Sequence, residues 1–351
     1  MQNNYVAIMA GGVGSRFWPA SSNEKPKQFL DILGIGKSLL QLTYDRFASV
    51  FPDTNIYVVT NKIYEDTVLQ QLPQLKKEQI ILEPSRNNTA PSVAYTAFKL
   101  HSLNPEANIV MAPSDHIIMK EQLFLNKIKD ALTFAGDNNA LITLGISPTR
   151  PDTGYGYIET AEMLQGQDFE IYKVKSFREK PDVDTAEQYL KSGKYLWNAG
   201  IFIWKAKNII NAFKEHAPQI YETLKQGQGH YNTTAGRDFI EQNYPLTEKI
   251  SVDFAIMEKA GNIYTLPADI AWSDLGTWNS LHAFMQKDSN NNVVINKNGD
   301  LINSHDNIIK VPKDKKVIVK DLQGYIVIDE NGTLLIYPKN KEQEIKHLNR
   351  T

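Results

Sequence analysis

Not one cysteine occurs in the 351 residues. Disulfides, zinc–thiolate centres, iron–sulfur clusters and a cysteine nucleophile are thereby excluded, and a reducing compartment is suited. Nor is one sign of charge in excess, since 38 basic residues stand against 40 acidic ones for a formal net charge of −2. No nucleic acid and no anionic membrane surface is therefore expected as a partner, and any phosphate must be held by local groups. No apolar run approaches the roughly 20 residues of a membrane span. The opening MQNN is too short and too poor in basic charge for a secretion signal. The expectation is a cytoplasmic protein without membrane contact, in which the N-x-Thr triplets at Asn87, Asn232 and Asn331 are chance matches.

What is present is enough apolar material, 42% of the chain, to bury a large core. Short apolar runs at 5–10, 55–60, 79–84, 108–115 and 140–146 read as buried strands. Amphipathic patterns at 38–50, 63–72, 90–103 and 124–136 read as the helices between them. Strands alternating with helices predict an α/β fold with a doubly wound, mostly parallel sheet, whose ligand crevice lies beyond the carboxyl ends of the strands. The loops after Ala10, Leu82 and Ala112 are then the places to look for chemistry. From about 150 to 285 the pattern loosens into strand-like pieces (GYGYIE, KVKSFREKP, GIFIWK, NIYTLPADIAWSD) around a helical stretch near 207–227. After Asp288, short Val/Ile runs punctuated by Asn-Gly, Asp and Lys predict a small all-β appendage. The expected domains are 1–285, comprising a nucleotide-binding region at 1–150 and a sugar-binding subdomain at 151–285, and a C-terminal β domain 286–351.

Between the first strand and the first helix runs MAGGVGSRFWPASSNEKPKQFL. Gly11, Gly12 and Gly14 let backbone amides point at an anion without side-chain obstruction. The same glycines would serve a tight strand-to-helix turn, and alone they do not separate the two readings. A dinucleotide fingerprint fails because Phe17 stands where it needs glycine. A P-loop ending at Gly36-Lys37-Ser38 fails because Asp31 stands where it needs its first glycine. Arg16 and Lys27 add two cations to a loop that Pro19 and Pro26 constrain.

With those residues in place, the segment from Gly11 to Leu30 resembles the signature of the sugar nucleotidyltransferase family, in its GDP-mannose pyrophosphorylase branch. Phe17 replaces the usual leucine. Further motifs follow in the family's order: EPSRNNTAPS (83–92), APSDH (112–116), TGYGYIE (153–159), FREKP (177–181), WNAGIF (197–202) and WSDLGTW (272–278). One departure is that the family's basic residue before Asn-Thr-Ala-Pro is Asn87 here, with Arg86 one place earlier. The resemblance implies a Rossmann-like, GT-A-like nucleotidyltransferase fold with a β-helix-like C-terminal appendage. It implies transfer of GMP from GTP to mannose 1-phosphate, assistance by Mg2+, and a homodimer. As the chain stops soon after the appendage, the isomerase domain of some relatives is not expected, and neither is a second activity.

Physical need and resemblance together suggest roles. A sugar phosphate is already ionised near neutral pH, since its second pKa is about 6, so attack on the α-phosphorus needs cations and alignment more than a general base. Arg16 resembles the family's arginine for the triphosphate, Lys27 its lysine for the α-phosphate, and Lys180 its lysine for the sugar phosphate. Asp115 and Asp274 match the metal-binding aspartates, and two carboxylates are a usual protein share for magnesium. With Asp115, these three cations form the expected catalytic set. Nucleotide contacts are implied at Ala10, Gly11, Gly12, Gly14, Ser15, Glu83, Asn88, Thr89 and Ser114, although Asn88 and Thr89 could equally cap the next helix. Sugar contacts are implied at Gly156, Glu179 and Asn198. His116 has no metal-binding spacing and reads as structural or supporting. Two alternatives stand beside this reading: another nucleotide and sugar pair, such as UTP or dTTP with glucose 1-phosphate, and a non-catalytic nucleotide-sugar sensor.

Overall fold

The computed structural model describes residues 2–296 and 299–350. Its strands are β1 (Asn4–Met9), β2 (Ile56–Asn61), β3 (Ile80–Glu83), β4 (Asn108–Pro113), β5 (Ile117–Ile118), β6 (Leu141–Ile146), β7 (Tyr157–Met163), β8 (Tyr172–Arg178), β9 (Tyr195–Lys205), β10 (Ile263–Pro267), β11 (Trp272–Ser273), β12 (Val293–Ile295), β13 (Gly299–Ile302), β14 (Ile308–Lys310), β15 (Val317–Lys320), β16 (Tyr325–Glu330) and β17 (Thr333–Pro338). The α-helices are α1 (Leu39–Ala48), α2 (Glu65–Gln71), α3 (Thr89–Leu103), α4 (Glu121–Asp137), α5 (Val183–Ser192), α6 (Ala206–His216), α7 (Pro218–Lys225), α8 (Thr234–Asn243) and α9 (Trp278–Phe284). Among the described residues no helix is long and apolar enough to cross a membrane.

The chain divides into two compact units. The first comprises Met1–Ala10, Tyr44–Pro113 and Ile118–Trp272, and the second Gly11–Thr43, Ser114–Ile117 and Ser273–Thr351.

The first unit carries a nine-stranded sheet in the order β3-β2-β1-β4-β9-β6-β10-β8-β7. Its first four strands are parallel. The runs VAI and VMA at their centres are buried because both faces of such a sheet are covered, which is why these strands read as unbroken apolar stretches. Helix α3 supplies much of that cover, with every residue from Ala90 to Leu100 buried. The far side of the sheet differs from the parallel pattern of the early strands. β9 runs antiparallel to both β4 and β6, and a further pairing of β7 with β9 closes β9, β6, β10, β8 and β7 into a ring. The strand-like pieces after residue 150 therefore belong to the main sheet.

In the second unit the C-terminal strands stack in parallel, Val293 beside Ile308 and Ile308 beside Ile326, with β13 and β15 forming a separate parallel pair. Buried asparagines tie successive turns: the Asn292 side-chain oxygen accepts from the backbone and amide of Asn307, whose own oxygen accepts from Tyr325 N. β17 ends the stack by pairing antiparallel with β16. The expected Asn298-Gly299 punctuation falls partly outside the described residues, at Asn298.

Candidate active site

The glycine loop belongs to the second unit. Gly12 and Gly14 both have positive φ, at 83° and 68°. At Gly14 a Cβ would stand 2.5 Å from the Cβ of Lys27, so backbone conformation and close approach both demand glycine there. The loop is fastened by the Ser21 hydroxyl, which donates to Gly14 O at 2.6 Å, and by Lys27 N, which donates to Val13 O at 3.4 Å. Beneath it, Phe17 packs on Trp278 with ring centroids 4.8 Å apart, and both rings are buried. Ser15 and Arg16 are exposed on the short turn Ser15–Phe17.

Lys27 is the centre of this unit's chemistry. Its side chain is 4% exposed, and its ammonium lies 2.9 Å from Asp115 Oδ2. It also donates to the carbonyls of Asp274 at 2.7 Å and Leu275 at 2.9 Å. An ammonium has three N–H donors, and here each has an acceptor. Two of the three are backbone carbonyls, which leave no mark in a sequence. Three segments distant in sequence, those around Lys27, Asp115 and Asp274, thus meet at one cation. Burial works to raise the Asp115 carboxyl, but the charge of Lys27, with help from His116 and hydrogen bonds, outweighs it and holds the group below its usual range. His116 Nε2 is 3.9 Å from Asp115 Oδ1.

The donor set suits magnesium. Asp115 keeps 31% of its side chain exposed, Asp274 Oδ1 accepts from Gly276 N at 3.0 Å, and both offer hard oxygens. Next to Asp115, the Ser114 hydroxyl is buried without a hydrogen-bond partner among the described residues, as befits a place completed by a ligand or water. Among the described residues no group of three or more His, Cys, Asp or Glu could hold a metal. An all-protein cage is thus missing, and a magnesium here would rely on phosphate and water for its other ligands.

The remaining expected residues lie in the first unit. Ala10 follows β1; its N donates to Val59 O at 2.7 Å and its O accepts from the Thr60 hydroxyl at 2.8 Å. The Asn88 side chain accepts from Thr89 N at 2.8 Å, capping α3, while Thr89 Oγ1 accepts from Val252 N at 2.9 Å. Burial pushes the Glu83 carboxyl up to about 7, against opposing hydrogen bonds from Tyr244 and Ser92. Asn87, which stands where the family has a base, is 1% exposed. Its amide donates to the carbonyls of Tyr244 and Thr247, each at 3.0 Å. Arg86 donates instead to the Tyr64 hydroxyl at 2.6 Å. Asn87 is thus a buried fastener.

The ring of strands brings the expected sugar residues together. Tyr157 pairs with Arg178 on one side and with Trp197 on the other. Gly156, Glu179 and Asn198 are the next residues along those three strands, and Asn198 N donates to Gly156 O at 2.8 Å. A Cβ on Gly156 would stand 2.5 Å from Glu179 Oε2, so glycine makes room for the carboxylate. Lys180 pairs with Glu179 in a left-handed turn, φ 47°. The Asn198 oxygen accepts from the Thr143 hydroxyl at 2.8 Å and Gly200 N at 3.1 Å, and its nitrogen donates to Asp253 Oδ1 at 3.1 Å. Asp253 escaped the sequence reading. A lone aspartate ahead of the apolar FAIM reads as a turn or cap residue, and only the fold puts it against Asn198.

One unit thus carries a glycine-lined loop with a clamped lysine and two aspartates, and the other an acceptor-rich set with its own lysine. The nucleotidyl transferase family model matches residues 5–291, and the chain belongs to that family. It is 36% identical, over 97% of its length and 71% of the relative's, to a mannose-1-phosphate guanylyltransferase of Salmonella typhimurium. It is 34% identical, over 97% and 72%, to one of Escherichia coli K12. Among solved structures it resembles one titled mannose-1-phosphate geranyltransferase, from Thermus thermophilus. There the TM-score is 0.87, with 27% identity over 99% of this chain and 98% of the other.

Proposed function

We propose that the protein transfers GMP from GTP to mannose 1-phosphate, giving GDP-mannose and pyrophosphate. The observation that carries the chemistry is the convergence of Asp115, Asp274 and the glycine loop on Lys27. The choice of substrates is supported by the relatives at 34 to 36% identity over 97% of the chain.

In this reading the glycine loop and Arg16 hold the triphosphate, the guanidinium reaching two oxygens at once. Lys27 offsets charge at the α-phosphate, exchanging one of its present acceptors for a phosphate oxygen. Asp115 and Asp274 would hold a magnesium ion, which when bound would supply charge neutralisation and orientation of the phosphate oxygens. Glu179 and Asn198 hold the sugar, and Lys180 its phosphate. The attacking oxygen is already ionised, so nothing in the chain has to remove a proton from it. As the α-phosphorus bond to the sugar phosphate forms, the bond to pyrophosphate breaks, and repulsion between the anions is the main barrier the cations lower.

The expected domains, 1–150 for nucleotide, 151–285 for sugar and 286–351 as the β appendage, belong to the same proposal, as do a cytoplasmic setting and a homodimer. A pyrophosphate-release assay across GTP, ATP, UTP and dTTP with mannose, glucose and galactose 1-phosphates tests it. The expected result is preference for GTP with mannose 1-phosphate. Preference for UTP or dTTP would replace the substrates, and binding without turnover would make the protein a sensor.

A further inference from the structure

We propose that Asp253 is a second acceptor for hydroxyls of the sugar phosphate, beside Glu179, and that it helps set which hydroxyls the site requires; this rests on the reading of Gly156, Glu179, Lys180 and Asn198 as the sugar set.

Asn198 is pinned. Its oxygen takes two donors, from Thr143 and Gly200, so flipping the amide would break both bonds, and its nitrogen is committed to Asp253 Oδ1. One oxygen of Asp253 therefore suffices to hold Asn198, and a carboxylate brings a second. Keeping that carboxylate here has an energetic cost: burial, then the neighbouring Glu179 charge, push it up to about 6, against a backbone hydrogen bond, the charge of Lys180 and a hydrogen bond from Ser251. Asp253 opens the turn Asp253–Met257, and Ala255, Ile256 and Met257 anchor that turn in the core. Two carboxylates near each other form an acceptor-rich surface, and hydroxyls are the neutral donors that satisfy one, whereas a phosphate would be repelled and finds Lys180 instead.

The test begins with wild-type protein, GTP and mannose 1-phosphate; failure to turn over any sugar 1-phosphate would defeat the underlying reading rather than this one. Asp253→Asn keeps an oxygen for Asn198 but turns the other acceptor into a donor. Its KM for mannose 1-phosphate should rise about tenfold or more, with the KM for GTP unchanged, from loss of a hydrogen bond to a charged group. Single-deoxy mannose 1-phosphates supply a readout independent of the variant. With wild type, two different deoxy analogues should each lose about tenfold, and one of them should lose nothing further in Asp253→Asn. An unchanged KM in a folded variant, or losses confined to one deoxy position in wild type, would overturn the proposal.

Discussion

Lys27 Nζ stands 2.9 Å from the Asp115 carboxylate and 2.7 Å from the Asp274 carbonyl, so one buried cation ties the segment that follows β4 to a turn 247 residues further along the chain than itself. The two candidate metal ligands are thereby positioned by a residue expected to act on phosphate. Removing it should be felt in both architecture and chemistry.

Lys27→Met deletes the charge and keeps the length. The variant should lose about 2 to 4 kcal/mol of stability, less than for a fully buried broken pair because Asp115 is partly exposed. It should also lose about 100- to 1,000-fold in turnover, as when one preorganised charge-stabilising group is removed. Urea unfolding and a pyrophosphate-release assay measure the two effects, and near-normal turnover would take Lys27 out of the mechanism.

Asp115→Asn and Asp274→Asn should each raise the magnesium concentration needed for half-maximal turnover while leaving the protein folded. Mn2+ binding followed by electron paramagnetic resonance, in the presence of GTP, reads the same loss without relying on activity. Equal Mn2+ affinity in both variants and wild type would remove the aspartates from the metal site.

Stability should fall as pH rises from about 4.5 to 7. The folded Glu83 carboxyl keeps its proton up to about 7 while an unfolded glutamate, with an ordinary value of 4.5, releases it earlier. In that window the folded chain binds more protons, which makes rising pH destabilising. Asp253 acts with the same sign between 3.8 and about 6. Asp115 acts with the opposite sign, its contribution being present above 3.8 and lost in acid. Glu83→Gln should flatten the decline by up to about 3 kcal/mol, given about 1.4 kcal/mol per pKa unit. Urea midpoints at pH 5, 6, 7 and 8 check this.

Much of the fold is legible in the sequence because β1 to β4 are buried on both faces and therefore spelled in apolar residues. The closing of β7 onto β9 is not, since pairing partners at long range leave no periodic mark. In the site, the glycines, Lys27 and both aspartates stand in recognisable motifs, but the carbonyls of Asp274 and Leu275 that hold Lys27 are backbone groups without a sequence signal. Asn87 illustrates the reverse: its departure from the family pattern is visible at once, yet its function as a buried fastener appears only with Tyr244 and Thr247 in place.

That fastening gives a further prediction. Asn87→Arg, which restores the family's base, should destabilise the protein by about 3 kcal/mol or more by burying an unpaired charge, whereas Asn87→Ala should cost about 1 to 3 kcal/mol. Urea unfolding distinguishes them. An arginine tolerated without loss would show that the segment around Tyr244 can yield.

The most direct measurement is 31P nuclear magnetic resonance of purified protein with GTP, mannose 1-phosphate and magnesium. The expected spectrum gains the paired diphosphate signals of GDP-mannose and one pyrophosphate for each, and Lys27→Met slows both together. Orthophosphate in place of pyrophosphate, or no new signal while GTP is bound, would contradict nucleotidyl transfer to the sugar phosphate.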